Sequence, residues 1–391
     1  MTDIARGLEG VVLAETRLSQ VDGQAGKLTI AGFPLEELAP NATFEETLHL
    51  MWYGRLPRQA ELDALADELG QARSLPAITV EVMRSCAQKR MPPMDALRMA
   101  VDTLSLVDAA AEEQGRPANL RRAVALAARM PTIIGGYARL LEGKALVEPR
   151  ADLSHAGYFL YQRTGEEADP AAVRGLETYL NAVVDHGMNA STFTARVIVS
   201  TRSDLVSAVV GAIGALKGPL HGGAPGPALD TVFMLRRQAA DQGVRLEQVA
   251  EDWARQTIEA GDRIMGFGHR VYKVRDPRAD VLAAAAARLF ERTGDQALYD
   301  DARVVEKVFI AVLQDLKPGR NLSTNVEFYT ALLLHGLGLE SAIFSSIFAM
   351  ARVGGWTAHI LEQMEDNVLI RPRAKYVGEH NQKWVALAER G

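Results

Sequence analysis

Apolar residues recur along this chain at helical spacing almost from end to end. Leu48, Met51 and Trp52 follow Thr43-Phe44-Glu45-Glu46, a capping-box pattern, and Gly54 with Pro57 marks the stop. Asp169 ahead of Pro170 supplies an N-cap and a first-turn proline for a helix carrying Val173, Leu176, Leu180 and Val183, which Gly187 ends. Ser203 opens a helix over 204–216 that is apolar nearly all round, as a central helix would be, and Gly218 with Pro219 ends it just before His221. The most apolar stretch, 328–351, is interrupted by His335, Gly336, Gly338 and Glu340. Neither half reaches the ~20 residues of a membrane span, so it reads as two buried helices joined at Gly336-Leu337-Gly338. Strand character is confined to the first forty residues, in Gly10-Val11-Val12-Leu13 and Lys27-Leu28-Thr29-Ile30 around a turn at Asp22-Gly23. The pattern predicts a mostly α-helical protein with a short N-terminal β-hairpin region.

The 391 residues suffice for two or three domains and a large core, and no Gly/Ser linker or repeat separates them. A formal net charge of −6 argues against nucleic acid as the main partner, so an anionic ligand must be met by a local basic cluster. Cys86 is the only cysteine, which excludes an internal disulfide and a Cys-based zinc site; its setting reads as a small core residue on a helix. The first residues lack the charge pattern and apolar stretch of a secretory signal, and a cytoplasmic protein without membrane association is expected.

Three short segments carry the chemistry. Pro219-Leu220-His221-Gly222-Gly223-Ala224 sets a histidine after a helix end and among glycines, where the ring should project into open space. Gly266-Phe267-Gly268-His269 does the same for a second; with no predicted strand before it and no third glycine after it, a dinucleotide-binding reading is rejected. Arg270, Lys273, Arg275 and Arg278 crowd this second segment, and Arg352 and Arg371 stand in further glycine or proline settings. Such guanidinium forks suit a di- or tricarboxylic acid, although a basic run equally fits a solvated face. In Asn325-Val326-Glu327-Phe328-Tyr329, an N-cap precedes a first-turn carboxylate that the helix dipole should keep ionised; this fits a general base and equally fits an ordinary stabilising glutamate. Two histidines and a carboxylate are what proton abstraction beside a carbonyl, followed by carbon–carbon bond formation, requires.

These segments, in order and spacing, resemble the signatures of the bacterial-type citrate synthase family. Asp185-His186-Gly187-Met188-Asn189-Ala190-Ser191, Arg352, Arg371-Pro372 and the opening Thr16-Arg17-Leu18-Ser19-Gln20-Val21-Asp22-Gly23 extend the resemblance over essentially the whole chain. It implies a two-domain, mostly helical homodimer, with a large domain over 1–221 and 333–391 and a small one over 222–332, closing on a cleft where acetyl-CoA and oxaloacetate condense. By that resemblance Glu327 is the base, His221 hydrogen-bonds the thioester oxygen, and His269 donates to the attacked carbonyl. His186, Arg278, Arg352 and Arg371 hold oxaloacetate, with Arg371 reaching the partner subunit's site. Ile264, Met265, Gly266, Phe267 and Gly268 line the adenine site, and Lys273 meets CoA phosphate. No metal or redox cofactor is implied.

Two positions depart from the family pattern. Glu327 stands where aspartate is usual, and Pro225 where asparagine is common. The longer base leaves open a slower enzyme, a displaced backbone or a different acyl-CoA. The alternatives to a citrate synthase are therefore a 2-methylcitrate synthase using propionyl-CoA and a non-catalytic relative that binds CoA or a dicarboxylate.

Overall fold

The computed structural model describes residues 4–8, 10–107, 115–221, 225–269, 271–293, 295–320 and 322–390. Gly222, Gly223, Ala224 and Arg270, on which the sequence reading drew, lie outside them, as does the junction expected between the first two domain segments. Among the described residues sixteen α-helices carry the fold. They are α1 Leu35–Leu38, α2 Phe44–Tyr53, α3 Gln59–Gln71, α4 Ala77–Gln88, α5 Pro93–Asp102 and α6 Arg116–Leu141. Next come α7 His155–Thr164, α8 Pro170–Val183, α9 Ala190–Ser200, α10 Leu205–Leu216 and α11 Pro225–Gln242. The last are α12 Leu246–Glu259, α13 Pro277–Thr293, α14 Gln296–Leu316, α15 Val326–Gly336 and α16 Phe344–Glu365.

Local capping decides several starts. The Thr43 hydroxyl accepts from Glu46 N at 3.2 Å while the Glu46 carboxylate accepts from Thr43 N at 2.7 Å, and Gly54 closes α2 in the left-handed region. Asp169 accepts from Ala171 N at 2.7 Å ahead of Pro170. The N-cap of α10 is Asp204, one residue beyond the predicted Ser203, because its carboxylate reaches Ser207 N at 2.8 Å. The stretch after Asn325 does form two buried helices, α15 and α16. Cys86 is buried on α4, and burial raises its thiol pKa.

The hub is α16, packed against α2, α6, α8, α9 and α10, with Trp356 fully buried. Trp52 on α2 donates its indole N–H to Thr357 at 2.8 Å. α10 is buried as expected, but it packs mainly against α9, α5 and α16. Further along the chain, α12 packs on α14, while α15 lies between α13 and α11. Gly355 allows α16 to approach the chain after α8: a Cβ there would lie 2.3 Å from the Val184 carbonyl oxygen.

The strands differ from the expectation. Gly10-Val11-Val12-Leu13 pairs with no strand among the described residues, and Val12 is largely exposed. The sheet is antiparallel, ordered β1-β2-β3, from β1 Ser19–Asp22, β2 Lys27–Ile30 and β3 Phe33–Pro34, with Ser19 opposite Ile30 and Ile30 opposite Phe33. β1 is chosen by what it is fastened to. The Ser19 hydroxyl donates to buried Asp185 at 2.5 Å and accepts from Gly187 N at 2.9 Å, on either side of His186. At the other end of the hairpin, Lys273 N donates to the Gly23 carbonyl at 2.8 Å. No helix among the described residues is long and apolar enough to cross a membrane.

Candidate active site

A cavity of about 1740 Å³ is lined by His186, His221, His269, Arg278, Glu327, Arg352 and Arg371, seven residues that the sequence reading singled out from segments far apart in the chain. Ile264, Met265, Gly266, Phe267, Gly268 and Lys273 are not among its lining residues. The glycine segment is instead zipped to the chain before α15. Gly268 N donates to Ser323 O at 2.8 Å, and the Gly266 carbonyl accepts from Asn325 N at 2.9 Å. The Asn325 amide donates to the Gly268 carbonyl at 2.9 Å. Gly266 has φ of 86°, and a Cβ there would press on Phe328 Cβ at 3.1 Å and Ala228 Cβ at 3.3 Å. In this chain the Gly-x-Gly seats the start of α15, and so positions Glu327.

Asn325 caps α15 with its side-chain oxygen on Glu327 N at 2.9 Å. The dipole does not decide the Glu327 charge alone. Burial raises its carboxyl pKa above the ordinary value, Arg278 opposes the rise and Asp276 adds to it. The expectation of a simply ionised first-turn glutamate is corrected in that sense: the group is easier to protonate than an exposed one.

His221 does not project into open space. Its Nε2 lies 3.2 Å from Ser191 N and 2.8 Å from the Ser191 hydroxyl, at the start of α9. A backbone amide can only donate, so Nε2 accepts and the proton sits on Nδ1. Burial foremost, then Arg352, pushes this ring down to about 4. His269 is fixed in the opposite tautomer. Its Nδ1 accepts from Val271 N at 3.0 Å and Tyr272 N at 3.1 Å, which leaves the proton on Nε2. Burial and then Arg278 bring it to about 4 as well. His186 meets the Tyr272 hydroxyl at 3.1 Å, and burial followed by Arg278, Arg352 and His269 drives it well below the ordinary histidine value. All three rings are therefore neutral at pH 7, and His221 and His269 each retain one N–H to donate.

Arg278 and Arg352, two of the buried arginines that line the cavity, differ. Arg278 turns its Nε and one terminal nitrogen onto Asp276 at 3.0 and 2.7 Å. Burial works against its charge, but that carboxylate raises its pKa overall. That same terminal nitrogen also lies 3.4 Å from His269 Nε2, at the cavity. In the tautomer fixed above both of these groups are donors, so they converge on a place for an acceptor. Arg352, on α16, gives its Nε–H to the Val183 carbonyl at 2.8 Å and lies 4.6 Å over the Phe348 ring. It forms no ion pair among the described residues, and burial lowers it to about 10 despite the field of Asp185. Arg371 is exposed at the rim, on the chain that follows α16.

Several functional neighbours were missed from sequence. Buried Arg196 lines the cavity and donates to Glu362 at 2.8 Å and to His359 Nδ1 at 2.8 Å, leaving His359 Nε2–H to Asp185 at 3.1 Å. This chain braces the loop bearing His186. Asp276 and Tyr272 lie in the same stretch as His269 and Arg278, and residue type alone gave neither of them a role. Among the described residues no group of three or more His, Cys, Asp or Glu could hold a metal ion.

The family model for the citrate synthase C-terminal domain matches residues 7–373. The chain is 41% identical to the citrate synthase of Haloferax volcanii, with 99% of each chain covered. It is also 36% identical to the 2-methylcitrate synthase of Mycobacterium tuberculosis, over 97% of this chain and 92% of that one. Among solved structures, the ternary complex of citrate synthase from Thermoplasma acidophilum with carboxymethyl coenzyme A and oxaloacetate superposes with a TM-score of 0.87 at 30% identity, covering all of both chains. With motifs, fold and full-length similarity in agreement, the chain belongs to the citrate synthase family.

Proposed function

We propose that the protein is a citrate synthase that condenses acetyl-CoA with oxaloacetate and hydrolyses the citryl-CoA formed, with these side chains in the following roles. The observation that carries the assignment is the composition of one cavity: two neutral histidines with fixed N–H donors, a half-buried carboxylate, and a buried arginine with no ion-pair partner among the described residues. Oxaloacetate brings the missing anion to Arg352, with Arg278, His186 and Arg371 completing its cradle. Its ketone oxygen takes the place where His269 Nε2–H and that terminal nitrogen of Arg278 converge, which polarises the carbon to be attacked. Glu327 removes a methyl proton from the acetyl group while His221 Nδ1–H stabilises the enol oxygen. Neutral donors suit both oxygens, since a charged imidazolium would give up its proton to the developing enolate.

CoA extends from the cavity toward 264–268 and Lys273. Met265 is partly exposed and Lys273 exposed, which supports contact through the backbone of that segment and the ammonium group. The parts 1–221 with 333–391 and 222–332 act as large and small domains that close on oxaloacetate. The protein works as a cytoplasmic homodimer with Arg371 entering the partner's site. The support is the exposed apolar side chains of the segment that carries Arg371, among them Leu369, Tyr376, Val377 and Trp384. Active monomer in sedimentation at assay concentration would exclude the shared site. The reaction needs no metal or redox cofactor.

A thiol-release assay with oxaloacetate, offering acetyl-CoA and propionyl-CoA in parallel, tests the assignment. Faster turnover of acetyl-CoA is expected. Preference for propionyl-CoA would make the enzyme a 2-methylcitrate synthase, and no release with either would leave a binding protein.

A further inference from the structure

Asp276 makes more directed bonds than any role yet given to it requires. Its Oδ1 accepts from Arg278 N and Arg278 Nε, both at 3.0 Å. Its Oδ2 accepts from an Arg278 terminal nitrogen at 2.7 Å and from Val326 N at 3.2 Å. Val326 is the first residue of α15, so its N–H has no partner within the helix, and Glu327 follows directly. One fully buried carboxylate thus binds the side chain that meets oxaloacetate and the helix end that presents the base, fifty positions away in sequence. An ordinary structural ion pair would need only the arginine.

Resting on the functional reading above, we propose that Asp276 is a positioning residue that locks Arg278 and Glu327 into one frame and sets the charge balance between them. Three consequences follow from its geometry. It occupies one edge of the Arg278 fork, so that only the other edge can meet substrate. It holds the turn that aims Glu327, where a displacement of about 1 Å would matter. It also places a negative charge behind Glu327, opposing the pull of Arg278 on the same carboxylate. Among the described residues, the charged groups that act on the Glu327 carboxylate are Arg278 and Asp276 at the start of α13. His186 after α8, Arg196 on α9, His221 after α10, His269 in the loop before α13, Arg352 and Glu362 on α16, and Arg371 line the same cavity. Of the two groups that act directly on that carboxylate, Asp276 is the negative one.

The test is steady-state kinetics across pH on Asp276→Asn and Asp276→Glu, beside wild type. Asp276→Asn keeps an acceptor for Val326 N but loses the charge and the second grip on Arg278. Its KM for oxaloacetate should rise roughly tenfold to a hundredfold. The acid limb of its kcat profile should move to lower pH by about half a unit or more, because Glu327 loses a neighbouring negative charge. Asp276→Glu keeps the charge and displaces the grip, so KM should rise while the acid limb stays within ~0.2 units of wild type. Both variants are checked for native helical signal and melting. An unmoved acid limb in Asp276→Asn, or an unchanged KM in both variants, overturns the proposal. Failure of both variants to fold overturns it too, in favour of a purely structural buried pair. Absence of turnover in wild type would instead count against the functional reading, and oxaloacetate affinity by calorimetry then still separates the variants.

Discussion

Arg278 and Arg352 face the same cavity, are both almost wholly buried, and stand in opposite electrostatic states. Arg278, at the start of α13, arrives with its carboxylate in place, and its charge is held more firmly than in water. Arg352, in the middle of α16, has a carbonyl and an aromatic face but no ion pair among the described residues, and its charge is held less firmly. A buried charge without a counterion is costly, and Arg352 carries that cost into the free protein. The difference divides the labour of the cavity. The α13–α15 side is organised before any ligand arrives, whereas the α16 side is completed by an anion. An oxaloacetate carboxylate at Arg352 would therefore relieve a cost built into the free protein, while at Arg278 it adds to a pair already satisfied.

The largest effect expected on the organised side is at the base. Glu327→Gln keeps the length and the cap at Asn325 but removes proton affinity, so kcat should fall by at least ~10² while oxaloacetate still binds. Turnover equal to wild type would remove Glu327 from the chemistry. Glu327→Asp is the sharper companion. The 266–268 and 323–325 segments are bonded at three points around a helix start that already carries glutamate, so shortening should withdraw the carboxylate and lower the rate rather than restore it. A faster Asp variant would show that glutamate is merely tolerated there.

The comparison itself is broken or kept by a pair of truncations. Arg278→Met leaves Asp276 buried without its counterion, which should cost about 3–5 kcal/mol of stability in denaturant melts of the free protein. Arg352→Met removes the unpaired charge and should be neutral or slightly stabilising in the same melts, although oxaloacetate binding is lost. Equal destabilisation by both would mean that Arg352 has a counterion in solution after all. Ligand should sharpen the contrast in wild type: oxaloacetate at about 100 times its Kd should add ~2.7 kcal/mol, and Arg352→Met should lose most of that gain.

How much of this could be read from the chain follows the range of each interaction. The Thr43–Glu46 box, the Asp169-Pro170 start and the Asn325 cap involve neighbours in sequence, so residue types alone reveal them. The three chemical segments were visible because each is short and contiguous, and their order and spacing resemble those of the citrate synthase family even where each alone also fits an ordinary structural role. What escaped was long-range. Ser19 selects β1 through Asp185, 166 positions away, and the more strand-like Gly10–Leu13 stretch has no such partner among the described residues and stays outside the sheet. The Arg196–His359–Asp185 chain joins residues that share no motif. The glycine segment was assigned to CoA by resemblance alone, and its bonds to 323–325 give it a second task that spacing could not suggest.

The smallest effect concerns the two histidines, which sit on opposite sides of the same comparison yet reach the same state. His269, beside Arg278, and His221, beside Arg352, are each held at about 4 by burial and a nearby arginine. Their folded-state values lie below the unfolded one, so between about pH 4 and 6.5 the unfolded chain binds more protons than the native protein. Their contribution to stability is therefore fully present above about pH 6.5 and is lost as the pH falls toward 4. Both rings keep some contact with the cavity, so the slope should be shallow. A melting series from pH 7 to pH 4.5 should fall progressively, and His221→Gln should flatten it by an amount on the order of a degree or two. A series identical in wild type and His221→Gln would show that His221 is not kept neutral by the fold, and the role of Ser191 N–H in fixing its proton on Nδ1 would fall with it.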